Sequence, residues 1–222
     1  MKNYAYVFKF DEKPVPRKYL EDCLQYAWKY TPSKNNFMNY TVHVLGPKHR
    51  KIKTALYYKC LQNQMNSNKQ KFDSLEEYDR NLTSRGIPPT FSNILSAPYA
   101  LIYTQRVETQ LNPYQQEAVG HGCVFEQTFP VGTQRYNQAM PKLEIGMFST
   151  NFANRCFKYG LDVSYVACMP TTIEDWQEPI WDFITERPLL IQLVGYGKDY
   201  IKDRRPPDKD RKPSFERIVN IL

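Results

Sequence analysis

The chain has 222 residues, with 30 Lys and Arg against 23 Asp and Glu, a formal net charge of +7. Hydrophobic residues make up 41% and charged residues 24%, which suits one packed core and excludes an intrinsically disordered chain. No apolar run reaches the ~18 residues of a membrane-spanning helix, and Met1-Lys2-Asn3-Tyr4 lacks a signal-peptide core, so a cytoplasmic single domain over residues 1–222 is expected.

The basic balance suits anionic partners, such as nucleic acid, a phosphorylated cofactor or a dinucleotide, or else serves solubility alone. The five cysteines, Cys23, Cys60, Cys123, Cys156 and Cys168, form no CxxC or metal-ligand spacing and read as reduced thiols. His43, His49 and His121 are scattered, and no metal site is expected.

Tyr4 to Phe10 alternates aromatic and smaller residues, the period of an extended strand. Asp11 to Pro16 is a breaker cluster, and Pro16 suits the first turn of a helix. Tyr19, Leu20, Cys23, Leu24, Ala27 and Trp28 then recur at three- and four-residue steps, an amphipathic helix that ends near Thr31-Pro32. A polar loop leads to a strand over Tyr40 to Leu45, stopped by Gly46-Pro47. Lys48 to Gln64 reads as a basic helix. From Met65 to Ser92 the pattern weakens into a long excursion, with Asn66 to Lys71 as a solvated linker.

Ala97-Pro98 introduces a strand over Tyr99 to Thr104, while Asn112 to Arg135 fits no element. From Glu144, the residues Ile145, Phe148, Phe152, Cys156 and Tyr159 form one helical stripe, and Gly160 supplies the C-cap. Leu161 to Ala167 is a strand. Thr171-Thr172-Ile173-Glu174 suits a helix start. Pro188 to Tyr196 is the most apolar strand and is expected at the sheet centre. Lys198 to Lys212 is dense in charge and proline, an exposed tail. Strands interleaved with helices make the fold α+β.

Four ordered segments resemble the nitroreductase family of FMN enzymes. They are Phe10-x-x-x-Pro14-Val15-Pro16-x-x-x-Leu20; Pro32-Ser33-x-x-Asn36 before a strand; the helix and strand from Glu144 to Val166, with Asn151 inside; and Leu190 to Gly195 followed by Arg211-Lys212-Pro213-x-Phe215-Glu216-x-Ile218-Val219. The resemblance implies a central mixed or antiparallel sheet flanked by helices, in an intertwined homodimer with a flavin at each subunit interface. It implies an oxidoreductase that moves hydride from NADH or NADPH through FMN to a nitroaromatic, quinone or similar acceptor. The cofactor carries the chemistry, so no catalytic acid or nucleophile is expected.

Residue by residue, the resemblance assigns Ser33 and Asn36 to flavin contacts, and Lys209 and Arg211 to the phosphate, with Arg204 and Arg205 as rivals. It assigns the strand end and turn at Ala167 and Cys168 to the face of the flavin ring. A plain solvated tail, loop and buried strand are the alternative readings of these three places.

The likeness breaks at two points. The family's opening Arg-x-Ser-x-Arg falls on Tyr4, Tyr6 and Phe8, and its Gln-Pro-Trp on Met38, Asn39 and Tyr40. Bonds to a charged group are worth about 1.5–3 kcal/mol each, so losing two phosphate arginines weakens FMN binding by roughly a hundredfold to ten-thousandfold. Lys2 and Lys9 offer a point charge in place of a fork. A flavin-free binding or structural module on the same scaffold is therefore the second expectation. A nucleic-acid binder is a third, and it is not favoured, because no RNA-binding signature or zinc-finger spacing is present.

Overall fold

The computed structural model describes residues 6–33, 38, 40–69, 71–85, 89–106, 113–121, 139–170 and 172–201. The strand β3 (Tyr99–Gln105) sets the architecture, since both its faces are apolar. Ala100 and Ile102 enter one buried cluster, while Leu101 and Tyr103 enter another on the opposite face. A strand of this kind needs helices on both sides. It pairs antiparallel with β2 (Tyr40–Leu45) and with β5 (Pro188–Gly195), and β5 pairs antiparallel with β4 (Asp162–Val166). The order is β2-β3-β5-β4, with β5 inside as its apolar run requires.

One face of the sheet carries α1 (Arg17–Tyr30) and α6 (Ala139–Lys158). Leu20, Cys23 and Ala27 of α1 meet Ile145, Phe148, Phe152 and Cys156 of α6, so both sequence stripes point inward except for Trp28, which is exposed. Each large apolar side chain buried here is worth about 1.5–3 kcal/mol. The helix α6 starts five residues before Glu144 and ends as Gly160 requires. Gly160 has φ +68°, and the Leu161 N–H reaches back to the Cys156 carbonyl at 3.1 Å.

The other face carries α2 (Arg50–Ser67), α3 (Leu75–Ser84) and the single turn α4 (Asn93–Ser96). Leu56, Tyr57, Cys60, Leu61, Tyr78 and Ile94 pack there with Trp176 and Trp181. The two indoles meet edge to face at 5.1 Å. A further helix, α5, spans Pro113–Gly120.

Four expectations need correction. Residues 112–135 are expected to form no element, and α5 lies within them. The excursion over 65–92 is largely helical. The α2 helix runs to Ser67, and α3 follows with Ser74 as N-cap, its hydroxyl accepting the Glu77 N–H at 3.1 Å while Glu77 accepts the Asp73 N–H at 3.0 Å. The start of the charged tail is a strand, β6 (Gly197–Ile201), which pairs antiparallel with β1 (Tyr6–Phe10) in a separate two-stranded ribbon. The helix expected after Thr171 is only a three-residue 3-10 turn, Glu174–Trp176.

The ribbon is tied to the body by short bonds. Asn93 donates to the Val7 carbonyl at 2.7 Å and to Ser164 at 2.9 Å, and the Phe10 N–H bonds to the Ser96 hydroxyl at 3.1 Å. Gly195 lies under this junction. A Cβ there would meet Pro98 at 2.6 Å and the Phe10 ring at 2.9 Å. Among the described residues, no helix is long and apolar enough to cross a membrane, and no group of three or more His, Cys, Asp or Glu side chains gathers for a metal ion.

Candidate functional site

Of the residues the resemblance singles out, Ser33, Ala167 and Cys168 are described, whereas Asn36, Lys209 and Arg211 lie outside the described residues, as do the rivals Arg204 and Arg205. Ser33 sits in the segment that links α1 to β2, and α6 holds that segment at two points. Glu144 and Asn151 are seven residues apart, two helical turns, and so share one side of α6. Asn151 donates to the Tyr30 carbonyl at 3.1 Å and to the Thr31 hydroxyl at 3.2 Å. Glu144, fully buried, accepts the Ser33 hydroxyl proton at 2.7 Å.

The far end of the segment is Met38. Its backbone has φ +50°, a left-handed conformation that costs a non-glycine residue roughly 1–2 kcal/mol. Such strain persists only where the surroundings over-determine it, and here they do. The Met38 N–H donates to the Ser33 hydroxyl oxygen at 2.8 Å. Its carbonyl accepts from Arg106 Nε at 2.9 Å and from the Tyr40 N–H at 2.8 Å. Burial, reinforced by the nearby Glu144 charge and opposed by Arg106, pushes the Tyr40 phenol far above its usual range, so it stays protonated.

This geometry changes what Ser33 has to offer a ligand. A hydroxyl has one proton and two lone pairs. The proton goes to Glu144 and one lone pair takes the Met38 N–H, which leaves a single acceptor site.

Two concavities flank the cluster. A shallow groove of about 620 Å3 runs along the α1–α6 junction, lined by Tyr30, Pro32, Leu143 and Met147. Tyr30 and Leu143 are more than half exposed, as is Trp28 on α1. A smaller hollow of about 230 Å3 is lined by Gln105, Lys142, Glu186 and Arg187. Burial raises the Glu186 carboxyl there above the usual carboxylate range.

Ala167 and Cys168 follow β4, and both are exposed. Their neighbours Val166 and Met169 belong to the apolar cluster on the α2 face, whereas Tyr40 and the α6 residue Ile145, beside Glu144, belong to the cluster on the α1–α6 face. Cys23, Cys60, Cys156 and Cys168 are all free thiols, and Cys123 lies outside the described residues.

Glu144, Arg106 and the Met38 backbone complete the cluster and were not singled out from the sequence. The spacing held one clue. Glu144 stands four and eight residues before Phe148 and Phe152, which puts a charge on the core side of its helix.

No protein-family model matches the chain, and no curated protein matches it. Solved structures do. A nitroreductase-like protein from Streptococcus mutans aligns at 17% identity over 98% of this chain and 93% of its own, with a TM-score of 0.63. A proposed NAD(P)H:FMN oxidoreductase from Staphylococcus epidermidis aligns at 12% identity over 100% and 97%, also at 0.63. A BluB-like flavoprotein from Clostridium difficile aligns at 16% identity over 98% and 94%, at 0.56. With α helices on both faces of an antiparallel sheet and a match that spans nearly every residue, the chain has the nitroreductase-like fold.

Proposed function

We propose that the chain is a flavin-dependent oxidoreductase that binds FMN, takes NAD(P)H as electron donor and reduces a small acceptor such as a nitroaromatic or quinone, working as a homodimer. The observation that carries this reading is a fold match over nearly the whole chain to proteins named as nitroreductase-like or as an NAD(P)H:FMN oxidoreductase.

The residues present fit part of an FMN site. The flavin ring needs hydrogen-bonding groups at its edge and a flat backbone surface at its face. Ser33, with one acceptor site left, and the exposed turn at Ala167 and Cys168 offer these. Asn36 joins Ser33 in this role, and Lys209 and Arg211 supply charge for the phosphate by charge-assisted bonds. When bound, FMN supplies two-electron redox chemistry to both substrates in turn. In this reading the chain would orient the ring through Ser33 and Asn36 and bind the phosphate through Lys209 and Arg211.

A homodimer is part of this reading, with each site formed at the contact between two copies. The exposed Trp28, Tyr30 and Leu143 along the α1–α6 groove supply an apolar surface for that contact.

One observation favours a second reading, a flavin-free scaffold. Tyr4, Tyr6 and Phe8 stand where the resembling family carries its phosphate arginines and serine. A single experiment separates the two. Freshly purified protein should show flavin absorbance, and FMN at a hundred times its Kd should raise the melting temperature by roughly 5–10 °C. Colourless protein that gains no stability from FMN would remove the redox reading and leave the scaffold.

A further inference from the structure

We propose that Glu144 is the positioning residue of Ser33 and Met38: by accepting the Ser33 O–H hydrogen bond it aims a Ser33 lone pair at the Met38 N–H and so holds Met38 in its left-handed conformation. Its consequence for FMN rests on the reading above; the positioning itself does not.

Three facts combine. Glu144 is fully buried in a layer that is otherwise mostly apolar, and a charge in such a place is costly to keep. An acceptor oxygen is needed there, and among the described residues Glu144 accepts the Ser33 hydroxyl at 2.7 Å, across 111 residues of sequence. The second fact is the direction of the Ser33 hydroxyl. With its single proton committed to Glu144, only lone pairs face the Met38 N–H, and that bond forms at 2.8 Å. Without the acceptor, the hydroxyl rotates freely and competes with the amide for water. The third is Met38 itself, at φ +50°, with Arg106 holding its carbonyl at 2.9 Å. A left-handed methionine clamped at both backbone groups is an element set in place for what it borders.

Glu144 thus acts through Ser33 and not by touching a reacting atom. Five proteins of the whole chain test this: wild type, Glu144→Met, Glu144→Gln, Ser33→Ala and the Glu144→Met/Ser33→Ala double variant. Methionine fills the buried volume without an acceptor, and such replacements of buried charge are usually tolerated. Glutamine keeps an acceptor oxygen. FMN affinity is read by quenching of flavin fluorescence, and the exchange rate of the Met38 amide by NMR.

Glu144→Met and Ser33→Ala should each weaken FMN binding about tenfold or more, the loss of one bond to a charged group. Glu144→Gln should bind within about threefold of wild type. The double variant should lose no more than the worse single one, because both act on one bond. The Met38 amide should exchange at least about tenfold faster in Glu144→Met and Ser33→Ala, and at the wild-type rate in Glu144→Gln. Wild-type affinity in Glu144→Met, or losses that multiply in the double variant, would overturn the role toward FMN. If wild type binds no FMN, the flavin reading falls, and the Met38 amide alone decides the positioning: equal rates in wild type and Glu144→Met overturn it, faster exchange with rescue by glutamine sustains it.

Discussion

Among the described residues, both faces of the sheet bury polar groups; on the α1–α6 face Gln192 ties β5 to α6 through the Ser149 carbonyl at 2.9 Å, and beyond that bond the two faces use such groups differently. On the α2 face, buried polar side chains bond to backbone and fasten one permanent element to another. Lys53 donates to the Ala97 and Pro98 carbonyls at 2.6 and 3.3 Å, closing the end of α4, and Asn93 ties β1 to the body through the Val7 carbonyl. On the α1–α6 face, the bonds from Asn151, Glu144 and Arg106 converge on the segment between α1 and β2. The lesson is that a buried polar contact says little until its target is known. One set holds the fold, and the other shapes a segment that the fold alone does not need.

The division can be broken by mutation, and the largest effect belongs to the α2 face. Trp181→Ala empties a fully buried ring position beside Trp176 and should cost about 3–5 kcal/mol in urea unfolding. FMN affinity per folded molecule should barely change; a parallel loss of both would join the two faces again.

Next comes Asn93→Ala. It removes the donors to Val7 and Ser164 and should lower global stability by about 1–3 kcal/mol, with amide exchange in β1 rising in step. Asn151→Ala is the matched change on the other face. It should cost only about 0.5–1.5 kcal/mol, seen in exchange at Thr31 before any global change. An Asn151→Ala variant as unstable as Asn93→Ala would end the distinction.

The smallest effect is electrostatic and sharpens the picture of the outer α1–α6 surface. Asp22 accepts from Arg155 Nε at 2.6 Å and from the Tyr159 hydroxyl at 2.9 Å. The Arg155 bond holds the Asp22 carboxyl below its usual value of 3.8. A carboxyl depressed in the folded state adds stability above its unfolded pKa, and that stability is lost as the pH falls through the folded pKa. The Asp22 side chain is 38% exposed, so water screens most of the gain. Asp22→Asn should lower the melting temperature by at most about 2 °C at pH 7, and the difference from wild type should shrink as the pH falls below the usual carboxyl value of 3.8.

Where local chemistry decides an element, the chain announced it. The stripe from Ile145 to Tyr159 with Gly160 behind it became α6 and its left-handed cap, and the apolar run from Pro188 became the inner strand β5. The helix α3 was equally announced, by Ser74 three residues before Glu77 and by Leu75, Tyr78 and Leu82 at three- and four-residue steps, but its stripe is short and only Tyr78 of it is buried. The strand β6 could not be read, because Lys198 and Asp199 are exposed on a two-stranded ribbon and leave no apolar alternation. The site divides the same way. Ser33 was found because its neighbours in sequence mark it. Glu144 and Arg106 reach the same segment across 111 and 68 residues, distances over which no local pattern carries information.

The ribbon of β1 and β6 has an engineering consequence. Tyr6 and Ile201 are register partners, so the first and last described strands leave the body side by side. A short tether joining them would close the polypeptide into a ring without stretching any bond of the ribbon. New termini opened at an exposed turn elsewhere would then give a permuted molecule with the same sheet, in which β6 and β1 become one continuous hairpin.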